Sequence, residues 1–150
     1  MIAKLKQFLT AHTHSESPEE KAKHLRLAAA SLLLEVVYAD QTIDEQEAAL
    51  LPKLLASAMS LTPLEAQSLV QEAKQAQGNA TSLFEFTKEI NDQCSLEQKQ
   101  QLILAMWTLA YADGNLCRYE DQIIRRTAEL LYLKHSELIQ LRNAAINKTR

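Results

Sequence analysis

Glycine and proline are the scarce residues of this chain, two and three in 150, where average usage runs near roughly 7% and 5%. Valine is rare as well, and aromatic residues make only 5% of the sequence, so strand formers are few. A Rossmann unit, a phosphate-binding P-loop and a nucleophile elbow each need several glycines at fixed spacing, and all three are excluded. What the chain has instead is 25 leucines and 21 alanines, nearly a third of its residues. That composition predicts an all-α protein with short connections.

Other absences narrow the function. There is no excess of basic charge: the formal net charge is −3, which argues against a nucleic-acid partner, since such a partner calls for a strongly basic face. There is no Cys-x-x-Cys pair, only Cys94 and Cys117, which read as reduced thiols of a cytoplasmic protein rather than a disulfide framework or zinc site. No apolar run is long enough for a transmembrane segment. At 47% hydrophobic residues, a chain of this length can bury about two thirds of its unfolded surface and fold without a metal or cofactor.

Residues 1–16 read as an amphipathic helix and a linker, ahead of a helical domain over 17–150. Ile2, Leu5 and Leu9 share one helical face with Lys4 and Lys6 beside them. Such a face can dock on the domain or touch an anionic membrane surface. His12-Thr-His-Ser-Glu-Ser17 has no hydrophobic residue; its His-x-His pair lacks a third metal ligand and reads as linker.

Beyond the linker one device recurs, a hydroxyl residue followed three places later by Glu or Gln: Ser17 with Glu20, Thr42 with Glu45, Thr62 with Glu65, Ser82 with Glu85, and Ser95 with Gln98. Each is a capping box, in which two free amides at a helix start are satisfied reciprocally. Pro18 and Pro63 sit at first helical positions, where the missing N–H costs nothing. These signals predict helices over 2–11, 18–39, 43–59, 63–76, 82–91, 96–112, 116–132 and 136–147. The result is a helical bundle of seven to eight helices joined by short turns. Leu32–Leu34 with Val36 and Val37, and Leu104–Trp107, are apolar nearly all round, so their two helices form the expected central pair.

Displacing the sequence by 73 residues lays Tyr38-Ala39-Asp40 on Tyr111-Ala112-Asp113, Ile43 on Leu116, Glu47 on Glu120, and Leu50-Leu51 on Ile123-Ile124. After a slip of one residue, Leu61 and Glu65 fall on Leu133 and Glu137. The domain is therefore expected to consist of two pseudo-repeats, each a buried helix ending in Tyr-Ala-Asp, a tight turn and two further helices. Gly78 falls in the joint between them and Gly114 in the second turn.

These residues resemble the tellurite-resistance protein B (TerB) family, in particular its compact, stand-alone bacterial members. The likeness rests on Leu33-Leu-Glu-Val-Val-Tyr-Ala-Asp40 with Ile43-Asp44 and Glu47, and on Met106-Trp-Thr-Leu-Ala-Tyr-Ala-Asp-Gly114 with Leu116, Glu120 and Ile123-Ile-Arg-Arg126. Phe84-Glu-Phe-Thr87 and Leu133-Lys-His-Ser-Glu137 extend it. The resemblance implies an all-helical, non-enzymatic domain linked to tellurite and stress resistance, with metal association, and with relatives in membrane-associated complexes. It implies site positions at Asp40, Asp44, Glu47, Asp113 and Glu120. Gln41 stands where the turn usually has glycine, and Thr42 and Asn115 where an acid is common.

Physically, Asp40 and Asp113 follow buried helices whose carboxyl ends disfavour a nearby negative charge. Turn chemistry is one reason for an aspartate there, because its side chain accepts backbone amides. The other is that the two turns converge and offer the five carboxylates to a hard divalent cation. An EF-hand is excluded by the spacing. The charges are also segregated: Ala28–Pro52 carries five acids and no Lys or Arg, whereas 125–150 carries six basic residues against Glu129 and Glu137. A dipolar surface of this kind steers charged protein partners.

No histidine, serine or cysteine stands in a recognisable catalytic relation to these acids. His24 and His135 read as surface or cap residues. The first expectation is thus a non-enzymatic interaction or sensing module that binds a divalent metal ion at the acidic turns. A metal-dependent hydrolase using the same carboxylates and a peripheral membrane scaffold using residues 1–11 are the alternatives.

Overall fold

Helix starts and stops account for most of the architecture. The structure, a computed structural model, describes residues 17–39, 45–76, 83–112 and 116–149. Within them run seven helices and no strand: α1 (Pro18–Val37), α2 (Glu45–Met59), α3 (Pro63–Ala76), α4 (Leu83–Gln93), α5 (Leu96–Ala110), α6 (Arg118–Leu130) and α7 (His135–Thr149). The expected amino-terminal helix, the His12/His14 linker, the Thr42 and Ser82 caps and both glycines lie outside the described residues.

Three of the five capping signals fall on described residues; in all three the hydroxyl caps the helix, and at Thr62 and Ser95 the return bond completes the box. The Glu20 amide donates to Ser17 Oγ at 3.2 Å. At α3 the Glu65 amide donates to Thr62 Oγ1 at 3.2 Å while Glu65 Oε1 accepts from the Thr62 amide at 3.0 Å. At α5 the Ser95 amide donates to Gln98 Oε1 at 2.8 Å and the Gln98 amide to Ser95 Oγ at 3.2 Å. Each box supplies partners for amides that a helix start leaves unpaired.

α1 and α5 are the central pair. Leu32, Leu33, Leu34 and Val36 of α1 and Ile103, Met106, Trp107 and Leu109 of α5 have no exposed surface. Consecutive leucines can all be buried because α2, α3, α4, α5 and α6 all pack on α1. A fully buried leucine contributes roughly 1.5–3 kcal/mol, so this pair dominates the hydrophobic driving force. Three threonine hydroxyls do not oppose it: Thr87, Thr108 and Thr127 donate back to carbonyls of the preceding turn, to Leu83 at 2.9 Å, Leu104 at 2.7 Å and Ile123 at 2.7 Å. Such bonds remove the penalty of burying a bare hydroxyl.

The two repeats show in the packing. α1, α2 and α3 form the first unit, and α5 gathers α6 and α7 in the second; α4 joins them by packing on α1 and α6. Contacts between units are crossed, with α2 against α5 and α6 against α1. Each amphipathic second helix thus leans on the central helix of the other unit, as a pseudo-twofold relation requires.

Candidate functional site

The acidic turns begin where α1 and α5 stop. Tyr38 closes α1 with φ −94° and ψ 4°, and its amide donates to the Leu34 carbonyl at 3.0 Å. Tyr111 closes α5 with φ −95° and ψ 7°, its amide donating to the Trp107 carbonyl at 3.0 Å. One residue on, the amides of Ala39 and Ala112 tighten to three-residue bonds with Val36 and Leu109, at 3.3 and 3.1 Å. The aspartates that follow are thus delivered from two stems with the same hydrogen bonds. The Tyr111 ring lies 6.2 Å from that of buried Trp107, inclined by 34°, which ties the second stem to the core.

Asp40, Asp44 and Asp113 themselves lie outside the described residues. Glu47 is in the first turn of α2, and its side chain is likewise outside the description. Glu120 is described: it occupies the first turn of α6 and is buried, with 3% of its surface exposed. The residue takes part in an interaction, and the amino end of α6 favours its negative charge. Cys117 caps that helix without a side-chain hydrogen bond. Among the described residues no group of three or more His, Cys, Asp or Glu is placed to hold a metal ion.

The crossed packing relates these positions. α6, which bears Glu120, packs on α1, which leads into the Asp40 turn; α2, which bears Glu47, packs on α5, which leads into the Asp113 turn. All five positions are carboxylates, the donor type that suits a hard cation such as calcium, magnesium or manganese rather than a soft one. His24 and His135 are both exposed, the first on α1 and the second at the start of α7. Cys94 and Cys117 are free and half-buried, the first in the connection between α4 and α5 and the second just ahead of α6.

The repeat also places a second pair of equivalent glutamates. Glu65 starts α3 and Glu137 starts α7, where Glu137 Oε1 accepts from the Lys134 amide at 3.0 Å. Bonds from the Thr62 amide and hydroxyl hold the Glu65 carboxyl below its ordinary range. The Lys134 amide and then the Gln100 side chain do the same for Glu137. The Gln100 bond, 2.7 Å to Glu137 Oε2, links α5 to α7; no local motif signals it, because its partners are 37 residues apart.

A family model described as tellurite resistance protein TerB matches residues 26–143. Nothing matches the chain among curated proteins or among solved structures.

Proposed function

This chain belongs to the tellurite resistance protein TerB family, and on that premise we propose that it works as a non-enzymatic interaction or sensing module that takes up a divalent cation at its two acidic turns. The observation that carries this reading is the crossed packing, which sets the helix of each glutamate against the helix that leads into the opposite aspartate turn. Asp40, Asp44, Glu47, Asp113 and Glu120 would hold the cation through carboxylate oxygens. Bound there, the cation would supply positive charge to offset acids that repel one another. The role in tellurite or stress resistance and the protein partner in a membrane-associated complex belong to the same proposal. They are supported by family membership and by charge segregation along the chain, since opposite faces of a dipolar domain can serve different partners.

Titration calorimetry and melting curves with calcium, magnesium, manganese and zinc test it. We expect heat and a raised Tm with at least one of them, and loss of both in Asp40→Asn and Asp113→Asn. No heat and an unchanged Tm with all four ions refute the cation site.

A further inference from the structure

Two open grooves flank the amino-terminal half of α1. One, of about 340 Å³, lies between α1 and α3 and is lined by Lys23, Arg26, Leu61, Leu64 and Glu65, among others. The other, of about 400 Å³, lies between α1 and α4 and is lined by His24, Leu27, Ala28, Glu85, Phe86 and Glu89. They differ in the charge of their rims. The first sets two cations, Lys23 and Arg26, against two acids, Glu65 and Glu72, with Lys23 4.0 Å from Glu72. The second has an apolar floor of Leu27, Ala28 and Phe86 beneath two acids. Glu89 accepts a bond from Gln93 Nε2, a neutral donor that leaves its charge in place.

Sixteen residues precede Ser17, and their sequence is the complement of this second groove: Ile2, Leu5 and Leu9 at helical spacing, with Lys4 and Lys6 alongside. We propose that the α1–α4 groove is the seat of the chain's own segment 2–11, its apolar face toward Leu27, Ala28 and Phe86 and its lysines beside Glu85 and Glu89. The reach is sufficient. Residues 12–16 span up to roughly 17 Å when extended. Along α1, His24 and Leu27 lie roughly 10 and 15 Å from Ser17, and a helical segment 2–11 is about 15 Å long. A short linker also makes the encounter intramolecular, which raises the effective concentration of the segment at the groove. The α1–α3 groove is the less complementary seat, because its two cations and two acids cancel, whereas the α1–α4 rim carries Glu85 and Glu89 for Lys4 and Lys6. Docking there would take the apolar face away from a lipid surface. The inference stands apart from cation binding, which concerns the other end of α1.

Zero-length carbodiimide coupling of the full chain, followed by peptide mass spectrometry, tests it. The expected result is monomeric product in which Lys4 or Lys6 is joined to Glu85 or Glu89. Full-length Leu5→Asp, which removes an apolar contact without touching the described core, is expected to lose those links. Links to Glu65 or Glu72 instead, links confined to dimeric product, or links that survive in Leu5→Asp would each overturn the proposal. So would the absence of links in a chain that sediments with vesicles of phosphatidylcholine and phosphatidylserine.

Discussion

Tyr38 and Tyr111 stand 73 residues apart and close their helices with backbone angles that agree within 3°, φ −94° and ψ 4° against φ −95° and ψ 7°. The same correspondence, shifted by one residue, recurs at the far ends of α2 and α6. There Ser60 and Tyr132 adopt φ 55° and 63°, and the amides of Leu61 and Leu133 reach back to the carbonyls of Ala56 and Ala128 at 2.9 and 3.0 Å. This six-to-one bond is the Schellman closure, whose left-handed residue is usually glycine.

The glycine-poor composition therefore leaves strain in place at two turns. A non-glycine residue in this region is disfavoured by roughly 1–2 kcal/mol, and Tyr132 is 81% exposed, so little packing is lost with its side chain. Ser60→Gly and Tyr132→Gly are each expected to stabilise the protein by about 1 kcal/mol, net of the extra freedom glycine gives the unfolded chain. Thermal melts should show a Tm raised by roughly 2–4 °C in each. A fall in Tm would show that the side chains contribute more than the backbone costs.

Pro52 breaks the symmetry of the repeats. It sits inside α2, where it lacks an N–H and crowds the preceding turn. The matching position in α6 is Arg125, whose Nε donates to Asp121 Oδ2 at 2.8 Å, four residues back. Alanine in a helix interior is favoured over proline by about 3 kcal/mol, of which up to about 1 kcal/mol is returned by the looser unfolded chain. Pro52→Ala should raise stability by about 2 kcal/mol in urea unfolding, with no change in helical content beyond α2.

Acid should weaken the two capping glutamates in a defined order of events. Hydrogen bonds hold Glu65 and Glu137 ionised below the ordinary glutamate range. Their contribution is therefore complete above the unfolded value near roughly 4.3 and is lost as the pH falls through the lower folded values. Melts from pH 7 to pH 3 should show Tm falling less steeply in the Glu65→Gln/Glu137→Gln double variant than in the parent. Parallel curves would count against the assignment.

Cys94 offers a local probe of the α4–α5 junction. Burial pushes its thiol above the ordinary range, and the charge of Lys99 only partly offsets this. Its alkylation by iodoacetamide at pH 7 is expected to be slow in the folded protein, to quicken as the pH rises past about 8.5, and to quicken at once in denaturant. Rapid reaction of folded protein at neutral pH would contradict the burial.

How far the sequence discloses the structure depends on where its signals are local. α3 runs Pro63–Ala76 as expected, because Thr62, Pro63 and Glu65 mark its start together. α1 and α5 stop two residues sooner than periodicity suggests, since Tyr-Ala continues an apolar pattern while the backbone turns to three-residue bonds. α6 begins at Arg118 rather than at residue 116 because its cap, Cys117, contributes no side-chain bond that a pattern could reveal. Glu120 is legible as a repeat position through Glu47, but its burial is not, because that depends on α6 leaning against α1. The α1–α4 groove is equally hidden from the sequence, since it exists only once α4 has chosen its packing face.

Glu120 is also the described residue on which the cation proposal can be tested most sharply. Its carboxylate is buried in the first turn of α6, so Glu120→Gln keeps the shape and the hydrogen-bonding oxygen while removing the charge. Glu129, on the same helix, is exposed and paired with Arg126 at 3.1 Å, and makes the control. A cation that binds only the folded protein stabilises it by about 2.7 kcal/mol at a hundredfold excess over Kd, a Tm rise of roughly 5–10 °C for a chain of this size. Charge is what a hard cation selects for, so Glu120→Gln should lose most of that rise for whichever ion gives it in the parent. Glu129→Gln should retain it. Equal responses in the two variants would place Glu120 outside the cation site and leave its burial a matter of packing α6 onto α1.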